Sequence, residues 1–227
     1  MDAVRRPIII AIDGPAGAGK SATAREVALR LGLPYLDTGA MYRVVGVAAM
    51  RRCIRPPLQP ACEEQLVELA GLLEIGFTGD PRDQRVLMDG EDVTNELRTP
   101  AASVMASVVS AVPGVRREMV RLQRQLAAAT GGVIEGRDIG TVVFPDADVK
   151  VFLTASPEVR AQRRFDELVG KGVRTSWDEV LEQQRKRDER DSTRADSPLR
   201  PATGAHILDT SGLTLEQVVE RVLALVP

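Results

Sequence analysis

Residues 14–21 read Gly-Pro-Ala-Gly-Ala-Gly-Lys-Ser and sit between an apolar, β-branched run and an amphipathic stretch. No other segment narrows the possible folds so far. The run before it, Pro7-Ile8-Ile9-Ile10-Ala11-Ile12-Asp13, is short and lacks alternation, so it reads as a parallel strand buried on both faces. After it, Ala24, Val27, Ala28 and Leu31 fall on one side of a helix that begins at Lys20 and closes at Gly32. A G-x-x-x-x-G-K-[ST] spacing between strand and helix is a phosphate loop. Its glycines let backbone N–H groups turn inward around an anion, and the helix N-terminus adds positive potential at the same point. Lys20 is placed to reach the β- and γ-phosphates of ATP and the Ser21 hydroxyl to ligate Mg²⁺. Gly14, Pro15, Ala16, Gly17, Ala18, Gly19 and Ala22 complete the expected ATP contacts. The loop specifies binding of a nucleoside triphosphate and leaves its use open.

Further core strands are expected at Pro34–Leu36, Gly132–Glu135, Val149–Leu153 and His206–Leu208, with helical stretches between them. That alternation predicts an α/β fold with a mainly parallel sheet, whose ligands lie beyond the carboxyl ends of the strands. Two stretches interrupt it. Residues 63–98 hold a helix (Leu66, Leu69, Ala70 and Leu73 on one face), then Leu73–Phe77 and Arg85–Met88 around Thr78-Gly79-Asp80-Pro81, a small antiparallel addition outside the main sheet. Residues 157–200 are dense in charge. The last element, Thr214 to Val226, opens with a Thr-x-x-Gln capping box.

Composition serves mainly to exclude. A formal net charge of −2 gives no pull toward nucleic acid or an anionic membrane. Cys53 and Cys62 lack metal-ligand spacing, and the single histidine cannot complete a zinc site, which fits a reducing cytoplasm. A strand pattern by residue 8 leaves no room for a signal peptide, and no apolar run approaches membrane-spanning length. The expectation is a soluble, cytoplasmic, monomeric chain whose partners are small nucleotides.

Two strand ends carry candidate acceptor chemistry. Asp37-Thr38-Gly39-Ala40-Met41-Tyr42-Arg43 combines a glycine turn, a hydroxyl and an arginine one helical turn later, and Arg43 is expected beside the phosphate loop. Glu135-Gly136-Arg137-Asp138-Ile139-Gly140-Thr141 is a glycine-bounded charged pair, open to reading as a ligand site or as a local salt bridge. In the run from Arg185 to Arg194, positions Arg187, Arg190, Asp191 and Arg194 follow helical spacing and share a face. That face suits either a solvated helix or mobile arginines that neutralise a transferring phosphoryl group.

These residues resemble the bacterial cytidylate kinases over nearly the whole chain. The segments that carry the resemblance are IDGPAGAGKS (12–21), LDTGAMYR (36–43), GEDVTNELRTP (90–100), EGRDIGTVVFPDADVKVFL (135–153) and RDERDSTR (187–194). The resemblance implies a P-loop kinase with a five-stranded parallel core sheet flanked by helices, a small α+β nucleotide-monophosphate-binding insert and a helical lid. The insert matches residues 63–98, the lid 157–200, and the core 1–62, 99–156 and 201–227. It implies transfer of the ATP γ-phosphoryl group to CMP, and to dCMP, with Mg²⁺. Lys20, Arg137, Arg190 and Arg194 are then the catalytic candidates, and Arg43, Arg137 and Arg194 grip the phosphates. Ser107, Arg116 and Asp138 hold the cytosine edge, Arg187 and Asp191 the sugar, and Thr38 places a hydroxyl on CMP. Glu135 stands where other members have aspartate.

Kinases for AMP, shikimate or dephospho-coenzyme A share the phosphate loop but not the DTGAMYR and EGRDIGTVVFP motifs. A P-loop switch or ATPase needs a strand ending in a metal-coordinating carboxylate, and the one at 149–153 runs into Leu-Thr-Ala; only Glu135 offers a weak candidate.

Overall fold

The computed structural model describes residues 7–194 and 196–227. Residues 1–6, counted above in the core, and Ala195, counted in the lid, lie outside the described residues. The chain opens with β1 (Ile9–Asp13), α1 (Lys20–Leu31), β2 (Tyr35–Asp37) and α2 (Thr38–Arg51). Next come α3 (Pro60–Leu72), β3 (Ile75–Thr78), β4 (Arg85–Met88) and β5 (Glu91–Asp92), then α4 (Pro100–Val109) and α5 (Pro113–Ala128). Then follow β6 (Gly132–Glu135), a π-helical turn over Ile139–Val143, β7 (Val149–Thr154), α6 (Pro157–Gly170), α7 (Trp177–Thr193), β8 (His206–Asp209) and α8 (Leu215–Leu223).

The main sheet has the order β2-β6-β1-β7-β8 with every pair parallel. Each expected core strand is present within about two residues of its predicted ends, the margin normal for element boundaries. Side chains alternate across β1: Ile10 and Ile12 pack with Ala24, Val27, Val218 and Val222 of α1 and α8, while Ala11 meets the α2, α4 and α5 side. Burial on both faces explains the β-branched, unalternating run. Strand β1 is flanked by β6 on one side and β7 on the other, so the chain's winding reverses there and a crevice opens above its carboxyl end. Thr214 caps α8, with the reciprocal bond to Gln217 formed as its sequence predicts.

The second sheet, β3-β4-β5, is antiparallel and separate from the first. It has three strands where the sequence pattern shows two, because Glu91 and Asp92 are both exposed and carry no apolar signature. Its apolar residues Ile75, Val86 and Met88 belong to the same cluster as Met41, Val44, Leu66 and Ile134, so the addition shares the main core. The α6–α7 pair differs: Ala161, Val180 and Leu181, with Phe165, Leu168 and Trp177 around them, form a small cluster of their own.

Candidate active site

The donor half of the crevice is made of backbone. Gly14 follows β1 at φ 144, and a Cβ there would lie 2.0 Å from the Leu153 carbonyl oxygen, so the turn tolerates no side chain. Gly19, at φ 91, starts α1 and leaves its first N–H groups open toward the loop. Lys20 is only 6% exposed, and its Nζ donates to the Pro15 carbonyl at 2.8 Å. Burial pulls its pKa down to about 7, with the Arg137 charge acting in the same direction and Glu135 opposing. The Ser21 hydroxyl donates to Glu135 Oε2 at 3.0 Å, and the Tyr35 phenol donates to the other Glu135 oxygen. Burial, followed by the Asp37 charge, raises the Glu135 pKa.

The acceptor half is made of side chains from five segments. Asp37 caps α2 by accepting from the Ala40 N–H at 2.8 Å and also pairs with Arg43 Nη2 at 2.9 Å. Thr38 is buried, and its hydroxyl donates to the Glu135 carbonyl at 2.7 Å, which stitches the start of α2 to the end of β6. Arg116, on α5 and 3% exposed, forms a short ion pair with Asp138 at 2.5 Å. Arg137 turns the other way, its Nε donating to Asp191 of α7 at 3.1 Å. The local Arg137–Asp138 salt bridge left open by the sequence therefore does not form; each residue finds a partner far along the chain. Ser107 is half-buried on α4, three residues before Ser110, whose hydroxyl bonds its carbonyl.

The α7 arginines divide. Arg187 lies near Lys20, Arg137 and Arg43, and burial, then the Arg137 charge, lowers its pKa to about 10. Asp191 is held below the ordinary carboxylate range despite its burial, because Arg137, Arg187 and Arg194 surround it. Arg190 is exposed and forms no side-chain bond among the described residues. The buried side of α7 is marked by Val180, Leu181 and Gln184. Asp191, seven residues from Gln184, returns to that side, whereas Arg190, six residues on, stands roughly 120° around the helix. The helix ends at Thr193, one residue short of the predicted arginine face. Arg194 is extended (φ −59, ψ 138), and its Nε donates to the Ser197 carbonyl at 2.6 Å. The shared face of four residues is thus corrected to Arg187 and Asp191 on the helix, with Arg194 reaching back from the segment after it.

Several N–H groups here lack a hydrogen bond. Nε of Arg116, Nε of Arg187 and Nη2 of Arg194 are buried without a hydrogen bond among the described residues, the first two with a carboxylate oxygen only at ion-pair range, Asp196 at 3.6 Å and Asp191 at 3.9 Å. Buried donors are normally satisfied, so three orphans in one cationic cluster mark a place for an anion.

Residues not singled out from sequence also shape the site. Arg160 of α6 donates to the Ala16 carbonyl at 3.1 Å and the Ala155 carbonyl at 3.0 Å, and pairs with Asp188 at 2.7 Å, fastening the helical pair to the phosphate loop. Arg163 donates to the Thr210 hydroxyl and carbonyl at 3.0 and 2.7 Å. Asp13 accepts from two backbone N–H groups of the turn after β6. Nothing sets Arg160 or Arg163 apart from the other arginines in sequence; Asp13, an acid ending an apolar strand, was visible.

A phosphate loop at the reversal of a parallel sheet, facing a basic cluster with unsatisfied donors, defines a P-loop nucleotide kinase. The cytidylate kinase family model matches residues 10–227. A cytidylate kinase of Corynebacterium efficiens is 50% identical over 219 residues, covering 96% of this chain and 94% of the relative. One from Caldanaerobacter subterraneus subsp. tengcongensis is 51% identical over 213 residues, covering 94% and 92%. The chain belongs to the cytidylate kinase family. Among the described residues, no helix is long and apolar enough to cross a membrane.

Proposed function

We propose that this protein transfers the γ-phosphoryl group of ATP to CMP, and also to dCMP, giving ADP and the nucleoside diphosphate. The observation that carries the reading is the buried Arg116–Asp138 pair, set beside arginine donors that make no hydrogen bond. Cytosine presents an exocyclic amino donor next to a ring acceptor. A carboxylate and a guanidinium side by side complement that edge, and uracil reverses it. The relatives' names support the same acceptor.

The acceptor phosphate oxygen is already anionic, so the residues have little covalent work to do; positioning and charge neutralisation carry the rate. Lys20, near its midpoint at neutral pH, is held fully charged by a bound triphosphate. Arg43 and Arg137 draw the two phosphates together, Arg187 and Asp191 hold the sugar, and Arg194 meets the transferring group from the α7 side. Arg190, exposed on α7, is the further lid cation of this reading.

The family implies Mg²⁺. The Ser21 hydroxyl and the Glu135 carboxylate, 3.0 Å apart at the phosphate loop, are hard oxygen donors that fit such an ion. The described residues contain no group of three or more His, Cys, Asp or Glu that could hold a metal ion, so most of the coordination falls to phosphates and water. When bound, the ion neutralises charge on the β- and γ-phosphates. The same reading has the chain acting as a cytoplasmic monomer on nucleotides alone; its two free cysteines support a reducing compartment. Steady-state turnover with CMP, dCMP, UMP and AMP tests the assignment. Preference for UMP or AMP over CMP refutes it.

A further inference from the structure

Asp13 is the last residue of β1, is 3% exposed, and immediately precedes the first glycine of the phosphate loop. Both of its carboxylate oxygens are used. Oδ1 accepts the Ile139 N–H at 2.8 Å and Oδ2 accepts the Gly140 N–H at 2.7 Å. One residue earlier, the Ile12 carbonyl accepts the Gly136 N–H at 3.0 Å. Arg137 and Asp138 lie between these two attachments, slung from the end of β1 at both sides.

The need for such a tether follows from the local backbone. Strand β6 ends at Glu135, and the π-helical turn begins at Ile139. Within that turn Val142 and Val143 bond back to the Asp138 carbonyl and Phe144 to the Ile139 carbonyl, which leaves the opening N–H groups of Ile139 and Gly140 without a partner of their own. Serine, threonine or asparagine could cap one such group. A carboxylate gives each N–H an acceptor oxygen of its own, where those side chains offer a single one. The turn is also packed from outside: a Cβ at Gly140 would sit 3.2 Å from Ala202 Cβ and 3.3 Å from the Lys150 side chain.

We infer that Asp13 is a positioning residue that fixes the base-reading turn in register with the phosphate loop, and so sets acceptor affinity and base choice. It touches neither substrate in this role. Its effect is transmitted through Arg137 and Asp138, whose side chains hold Asp191 and Arg116. The inference rests on the CMP assignment proposed above.

Asp13→Asn keeps the shape of the side chain but turns one acceptor into an N–H donor that confronts a backbone N–H. Asp13→Ser is smaller and caps at most one group. With either variant folded, KM for CMP should rise on the order of 10-fold or more, as expected for a misplaced site. KM for ATP should stay within about 2-fold, and the CMP-to-UMP ratio of kcat/KM should fall by roughly 5-fold or more. Parallel losses for ATP and CMP, or an unchanged CMP-to-UMP ratio, would overturn the inference. So would unfolding of both variants, which would make Asp13 a residue of fold stability. In the wild-type protein the Ile139 and Gly140 amide protons should exchange as slowly as those of β1; exchange at the rate of exposed loop amides also overturns it. A wild-type enzyme indifferent to CMP and UMP refutes the substrate assignment instead, and leaves the tether to be judged on amide exchange.

Discussion

The two halves of the crevice are built on opposite plans. On the donor side a single contiguous loop presents backbone N–H groups, and its shape is enforced by steric exclusion, as at Gly14 against Leu153. On the acceptor side, side chains from α2, α5, the turn after β6, α7 and the segment beyond it meet through ion pairs between residues far apart in sequence, such as Arg137 with Asp191. The donor half is complete before substrate arrives. The acceptor half holds guanidinium groups paired only in part, with donors left over. Backbone recognition suits a group common to every triphosphate, whereas choosing one acceptor takes side chains.

Breaking the donor half should have the largest effect. Lys20→Ala removes the cation at the donor phosphates, and kcat should fall on the order of 10³-fold. Its stability should not follow. The Lys20 pKa falls from 10.5 unfolded to about 7 folded, so the folded chain binds the proton more weakly. That cost is fully present below about pH 7 and vanishes as pH rises through 10.5. The melting temperature of Lys20→Ala at pH 6 should equal or exceed that of the wild type. A variant that keeps near-normal turnover breaks the phosphate-loop assignment.

Arg194 tests whether the leftover acceptor-side donors serve transfer. Arg194→Met should lower kcat with CMP by roughly 100-fold, with ATP affinity of the free enzyme unchanged. An unaltered kcat would reduce Arg194 to an anchor for the Ser197 carbonyl. Asp138→Ala sharpens the comparison next, since it should raise KM for CMP roughly 10-fold and narrow the gap to UMP. It also leaves the buried Arg116 charge with only Asp196 at 3.6 Å, at a cost of up to about 3–5 kcal/mol in stability, so kinetics belong alongside a melting curve. An unchanged CMP-to-UMP ratio would move base recognition elsewhere.

The smallest effect is a proton count. If the triphosphate holds Lys20 charged, binding a non-hydrolysable ATP analogue should take up more protons at pH 8 than at pH 6, once protons exchanged by the nucleotide itself are subtracted. Calorimetry in buffers of different ionisation enthalpy reads this directly. No uptake at pH 8 would mean that the empty site already keeps Lys20 charged.

The same division explains how much the sequence could tell. Local signals were legible: the phosphate loop, the β-branched strands, the capping box at Thr214, and charged residues placed at strand ends. Long-range pairing was not. Nothing near Arg137 in sequence announces Asp191, and Arg160 is one arginine among many until α6 lies against Ala16. Helical periodicity grouped Arg190 with Arg187 because it tracks spacing along the chain. It cannot show which arc of α7 the core buries, or that the helix stops at Thr193. The β5 strand escaped because exposed Glu91 and Asp92 carry no apolar pattern.

The separation of the apolar clusters has a further meaning for how this chain can be remodelled over generations. The α6–α7 pair keeps its own small cluster and is joined to the phosphate loop by polar bonds from Arg160 to the Ala16 carbonyl and from Arg163 to the Gly17 carbonyl. Lengthening or trimming it away from Arg160, Arg187 and Asp191 leaves no hole in the main core, so the outer part of the pair is free to drift in length. The β3–β5 addition contributes Ile75, Val86 and Met88 to the cluster that backs the sheet. Its loss would strip buried side chains from their neighbours at about 2–5 kcal/mol for each large aliphatic group. One accessory unit is therefore tied to the rest through its site residues alone, while the other is structurally committed to the core it decorates.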